Sequence, residues 1–114
     1  MKATNLRTIL VDVLKNYNAH HGDNTGSFGE NNYKINYQIG QSTLLENQRT
    51  YSMEIDVWCN DSVQVDKLSD EIEALFNYKT YESATFYLDN RYPADEKEIY
   101  RRTLTYEVRT FKED

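Results

Sequence analysis

Three groups of residues have types that could do chemistry. In "SMEIDVWCND" (residues 52–61), Cys59 stands beside Trp58 and two residues before Asp61, while His20 and His21 lie in a glycine-rich stretch. A thiol and an imidazole can form a nucleophilic pair. Cys59, however, continues the alternate apolar series Tyr51, Met53, Ile55 and Val57, which marks it as a small buried hydrophobe out of reach of a loop histidine. His20, His21 and Asp23 have the side chains of metal ligands, but their spacing matches no usual zinc pattern, and adjacent histidines point apart on most backbones. Glu54 and Asp56 fall about 7 Å apart on one strand face, as alternate strand residues must. Paired carboxylates can do acid–base work. The simpler partners for these two are Arg101 and Arg109 on another strand. No glycine-rich phosphate loop is present. The residues therefore predict no catalytic, cofactor-binding or metal site, and a protein that is not an enzyme.

The elements that position these groups follow from hydrophobic period. Residues 4–17 predict a helix, with Leu6, Ile9, Leu10, Val13, Leu14 and Tyr17 in one stripe and Thr4 or Asn5 as its cap. Residues 18–32 hold three of the four glycines and read as a long surface loop whose single large apolar residue is Phe28. "YKINYQI" (33–39) and "YSMEIDVWC" (51–59) alternate strictly and predict two half-buried strands. Residues 40–49 between them read as a long connection carrying Leu44 and Leu45. Asp61 and Ser62 open a second helix, Asp61 forming a capping box with Gln64. Its core stripe is Val65, Leu68, Ile72, Leu75 and Phe76, and Asp66, Asp70 and Glu73 line the opposite side. Residues 83–89 predict a third strand, "NRYPADEKE" a turn, and 99–111 a fourth and longest strand. The expectation is one α+β domain over residues 1–114. It has a mostly antiparallel sheet of about four strands, two helices on one face, and the order α-β-β-α-β-β.

Composition narrows the function. The net charge of −6 argues against a non-specific nucleic-acid binder. A lone cysteine excludes an intramolecular disulfide and fits a reducing cytoplasm. No apolar run reaches the ~20 residues a membrane helix needs, and the first 17 residues lack the long apolar core of a signal peptide. The outward sheet face is the exception to a bland surface. It carries Trp58, Tyr87, Arg101, Arg109 and Glu54, with Thr85, Thr103, Thr105 and Glu107, too polar for a core and too aromatic for plain surface. Trp, Tyr and Arg are enriched at interface hot spots. With Leu44, Leu45 and Phe28 as apolar docking points, this face predicts subunit or partner contact.

The succession of "YKINYQI", "MEIDVWCND" leading into "VDKLSDEIEALF", and a final "EIYRRTLTYEVRTF" resembles the tail-terminator (tail-completion) proteins of long-tailed bacteriophages, small minor tail or head–tail joining components. The residues that carry the likeness are Val57 and Trp58, the helix positions Leu68, Ile72 and Leu75, and Asp95 with Arg101 and Arg102. It spans most of the chain apart from the loop 18–32, whose histidines and polar character the family does not dictate. The resemblance implies a virion protein assembled in the bacterial cytoplasm. Such a protein forms a six-membered ring that caps the tail tube, stops its polymerisation and meets the head connector. DNA passes through the ring without specific binding, so an acidic wall has a role. Either Asp66, Asp70 and Glu73 or the turn Asp95, Glu96 and Glu98 would face the lumen. The runner-up readings are another neck protein (head completion or stopper) and, from a different class, a small ligand-binding or regulatory α+β module.

Overall fold

A computed structural model describes residues 1–111. The elements are α1 (Ala3–Val13), β1 (Ala19–His21), β2 (Tyr33–Leu45), β3 (Gln48–Cys59), α2 (Ser62–Phe76), β4 (Thr80–Tyr81), β5 (Ala84–Pro93) and β6 (Tyr100–Phe111). They build a single six-stranded sheet in the order β1-β2-β3-β6-β5-β4. All neighbours are antiparallel except the β1–β2 pair.

This corrects the expected α+β domain of about four strands in the order α-β-β-α-β-β. The chain is mostly sheet, with 49% of residues in strands, and the sheet curls into a half-barrel accompanied by two helices. The extra strands are short pieces that have no hydrophobic period of their own. β1 forms inside the predicted loop because Ile35 N–H donates to Asn18 O (2.8 Å) and Gly22 N–H to Tyr37 O (2.9 Å). β4 forms where Thr80 and Tyr81 meet Thr85 and Ala84. Two strands also outrun their predicted ends. β2 continues through 40–45 past a bulge, where Gly40 and Gln41 together oppose Ser52, so that only Glu46 and Asn47 remain as the turn. A Cβ on Gly40 would lie 2.5 Å from Ser52 Oγ, which accounts for glycine at the bulge. β5 passes a second bulge at Asp89 and runs to Pro93 at its end, where a missing N–H is tolerated.

The first face of the sheet holds the core. Ile35 and Tyr37 of β2, Tyr51, Met53, Ile55, Val57 and Cys59 of β3, Phe86 of β5, and Leu104, Tyr106 and Val108 of β6 form one buried cluster. Both helices contribute to that cluster: Leu6, Ile9 and Leu10 from α1, and Val65, Leu68, Ile72 and Phe76 from α2. Each such side chain contributes about 1.5–3 kcal/mol on leaving water. Asp61 caps α2 as its sequence predicts, accepting from Val63 N–H (2.9 Å) and Gln64 N–H (2.8 Å). α1 stops four residues short of its predicted end, and its N-cap residue is Lys2, not Thr4 or Asn5, with no side-chain cap. Beyond Val13 the backbone tightens into three-residue turns, Lys15 N–H to Asp12 O and Tyr17 N–H to Leu14 O.

Candidate functional site: the second face of the sheet

The second face is read from register as a stack of cross-strand rows. From one end these are Lys34–Trp58–Arg101, Asn36–Asp56–Thr103 and Gln38–Glu54–Thr105. Beyond them come Ser52–Glu107–Tyr87, then Thr43–Thr50–Arg109–Thr85, then Leu45–Gln48–Phe111. Trp58, Tyr87, Arg101, Arg109 and Glu54 thus share one face, as their alternation requires. The face divides into a covered half and an open half.

The covered half lies under residues 22–32. Lys34 Nζ donates to Asn24 Oδ1 (2.7 Å), and Asn36 Nδ2 to Thr25 O (2.7 Å). Asn18 Nδ2 ties the far limb through Ser27 O (2.9 Å) and Phe28 O (3.2 Å). Gly26, at φ +74°, passes so close to His20 that a Cβ would meet its ring at 2.3 Å. Trp58 is accordingly 4% exposed, between Lys34 Nζ at 5.2 Å and Arg101 Cζ at 4.6 Å from its ring. Two cations flanking one indole are an electrostatically favoured arrangement. Trp58 therefore faces outward by alternation yet is buried within its own chain. Its Nε1 and Asn36 Oδ1 are buried without a protein hydrogen-bond partner among the described residues. Phe28 is half-buried in this covering segment.

Asp56 is the electrostatic centre of that half. It is 2% exposed and accepts from Arg101 Nε (3.0 Å) and Thr103 Oγ1 (2.7 Å). Burial opposes the Arg101 charge, but Asp56, Glu54 and Asp23 outweigh it, so the guanidinium pKa is raised. Glu54 receives Gln38 Nε2 at 3.3 Å. Burial raises its pKa, and a hydrogen bond and charge repulsion from Asp56 push the same way, against weaker opposition from Gln38 and Arg101. Of the two arginines expected as partners, Arg101 pairs with Asp56 and acts on Glu54 only through its field, whereas Arg109 pairs with Glu107 and reaches neither carboxyl.

The open half begins at Glu107. Arg109 lies over the Tyr87 ring at 4.8 Å and pairs with Glu107 at 2.9 Å. Tyr78 packs edge-on to Tyr87 at 5.9 Å and is itself exposed. Leu45 (73% exposed) and Phe111 (65%) close the face at its far end. Leu44, next along β2, points to the opposite face and is also exposed. Leu44 and Leu45 are thus strand residues at the tip of a long hairpin, where the sequence reading placed a loop.

The two acidic segments come together through arginines. Arg91 reaches Asp66 (3.6 Å), Asp70 (2.7 Å) and Glu73 (3.4 Å) on α2. Arg102 joins Asp66 (2.9 Å) to Asp95 (2.8 Å) in the turn, and Glu96 lies 3.8 Å from Arg101. Glu98 is exposed in the same turn. Arg91 and Arg102 thus tie Asp66, Asp70, Glu73 and Asp95 into one ridge. Arg91 was hidden from sequence reasoning because it falls in a stretch that reads as a turn; its position opposite the acidic stripe exists only once β5 extends past the bulge. Lys34 and Asn36 were visible as polar alternates, but nothing in the sequence shows the segment that covers them.

Fold and face define a small, mostly-β domain with one face packed on helices and the other half covered, half open. No family model matches the chain, and no curated protein matches it. Among the described residues, no group of His, Cys, Asp and Glu side chains could hold a metal ion, and no helix is long and apolar enough to cross a membrane.

Proposed function

We propose that the protein is a structural assembly component of a long-tailed bacteriophage. It caps the end of the tail tube as a six-membered ring, ends tube polymerisation and helps join tail to head. The observation that carries this reading is the open half of the second face. There Tyr87, Arg109 and Glu107 run without a break into exposed Leu45 and Phe111. Aromatic and arginine side chains beside an apolar end are the composition of a contact surface. Its partners are neighbouring copies, the tail tube protein and the head connector.

The acidic ridge suits the same role. Asp66, Asp70, Glu73 and Asp95 outnumber Arg91 and Arg102, so negative charge remains after pairing. A wall of that sign lets a polyanion slide past unbound. The protein works by shape and contact, in the neck of the virion, after assembly in the cytoplasm of a bacterial host. A ligand-binding module is less favoured. The depression of about 410 Å³ on the open half is lined by Gln41, Thr43, Thr50, Ser52, Asp89 and Glu107 together with Tyr51 and Tyr106, a more polar wall than the mostly apolar one of a usual ligand site.

The test is to delete the reading frame in its phage or prophage and image the lysate by electron microscopy. DNA-filled heads beside unattached tails, many of them over-long, are expected. Normal-length tails with emptied heads would move the protein to the head side of the neck. Intact virions would overturn the proposal.

A further inference from the structure

The sheet has two edges, and they are treated differently. On the β5 side, residues 77–79 and β4 occupy the strand as far as Leu88. Tyr78 N–H donates to Phe86 O, Phe86 N–H to Lys79 O, and Leu88 N–H to Asn77 Oδ1. What remains ends at Pro93, which has no N–H to offer. On the β2 side, β1 covers only Ile35, Asn36 and Tyr37. Residues 38–45 continue as an outer strand with the sequence QIGQSTLL, which has no charged residue and no proline. Edge strands are ordinarily guarded by charge, proline or cover. This one has its bulge and a single neighbouring charge, Arg49 of β3, whose Nη1 donates to Ser42 Oγ (3.1 Å), and it ends in exposed Leu44 and Leu45.

Backbone alternation says which groups face out. Ile35 and Tyr37 turn their N–H and C=O toward β1. The next outward positions are Ile39 and, after the one-residue bulge, Ser42 and Leu44. All three place their side chains on the first face, since they oppose Met53, Tyr51 and Arg49.

We propose that this edge pairs antiparallel with the same edge of a second copy, in the register Ile39–Leu44′, Ser42–Ser42′, Leu44–Ile39′. Opposed residues then share a face, as antiparallel pairing demands. Each strand's bulge residues, Gly40 and Gln41, stand against a single Thr43′, the same two-against-one relation they already have with Ser52. Exposed Leu44 meets half-buried Ile39 of the other copy. The paired strands themselves carry no charge, but each Ser42 Oγ accepts from Arg49 Nη1 of its own chain (3.1 Å), and that guanidinium must swing off the axis as the pair forms. The second copy is the occupant because its own edge is the matching free strand. Among the described residues, β1 offers three residues and the remaining β5 edge stops at Pro93. The contact is isologous, with a two-fold axis through Ser42. A ring closes through head-to-tail contacts, so this pairing describes the free protein and does not rest on the tail-cap reading.

The test is sedimentation equilibrium on the full chain up to about 100 μM, a range that reads micromolar association. A dimer is expected. Ser42→Lys sets two like charges face to face across the axis. This variant and Leu44→Lys should each lower the dimer fraction at least about tenfold, with melting midpoints unchanged when measured at low concentration, where the wild type is also a monomer, since both positions are exposed. Opposed Cα atoms in such a pair lie about 5.5 Å apart, within the span of a disulfide. Ser42→Cys should therefore crosslink under mild oxidant, while Thr43→Cys, off the axis, should not; Cys59 is buried. A monomer throughout, a dimer that survives both lysine variants, or a Ser42→Cys protein that fails to crosslink would overturn the proposal. None of these outcomes touches the lysate test of the tail reading.

Discussion

Replacing Trp58 with alanine separates two accounts of the second face. Its alternation and residue type suit a partner contact, whereas the structure buries it within its own chain at 4% exposure. Truncating a buried Trp to Ala costs about 3–5 kcal/mol in lost transfer and residual cavity. Lys34 and Arg101 also lose the ring between them, and cation–π contacts contribute about 0.5–2 kcal/mol each. The sum is a large share of the roughly 5–15 kcal/mol by which a domain of this size is stable. Urea unfolding followed by far-ultraviolet circular dichroism, which does not depend on the lost indole, should show a loss of at least about 3 kcal/mol. Arg109→Ala on the open half should cost under about 1 kcal/mol, because its pairing with Glu107 is exposed. If Trp58→Ala lost under about 1 kcal/mol, the covering by residues 22–32 would be wrong, and Trp58 would return to the list of accessible contacts.

Glu54 gives a pH signature. Its folded pKa is raised above the ordinary 4.5 by burial and then by Asp56. The folded state therefore holds a proton that the unfolded state releases. Stability from this group grows as pH falls through the folded pKa and levels off below 4.5. Glu54→Gln, whose amide can donate to Asp56 at any pH, should exceed the wild type in urea midpoint at pH 7. That advantage should shrink as pH falls toward 4.5, and equal midpoints at pH 7 would count against a raised Glu54 pKa. Removing Arg91 leaves Asp66, Asp70 and Glu73 crowded on one helix face. Arg91→Ala should lower the melting midpoint by a few degrees at low salt (about 1 kcal/mol for exposed pairs), and added salt should recover much of it. Asp61→Ala removes a cap that accepts from two amides and should cost about 1 kcal/mol in urea unfolding, with no change in what the open half binds.

What could be read from sequence was whatever has a period. The inward series from Tyr51 to Cys59, the α2 stripe and the Asp61 cap are local patterns, and the structure has all three. What could not be read depends on non-local pairing. β1 and β4 are three and two residues long and exist because a neighbour supplies their hydrogen bonds. The bulges at Gly40–Gln41 and Asp89 interrupt the two-residue alternation, so β2 and β5 each looked shorter than they are. The same limit applied to the candidate site. Alternation put Trp58 and Arg101 on the outward face, but only the hydrogen bonds of Asn18, Lys34 and Asn36 to residues 24–28 divide that face into covered and open halves. Arg91, which knits the acidic ridge, lies just past a bulge that sequence does not announce.

The most direct test of the tail-cap reading is electron cryomicroscopy of the neck of the mature virion. The account predicts a closed ring of this chain at the end of the tail tube. In it Tyr87, Arg109, Leu45 and Phe111 are buried against a neighbouring copy or the tube, and the ridge of Asp66, Asp70, Glu73 and Asp95 faces the DNA path. A virion without this chain, or a ring whose open half faces solvent, would contradict it.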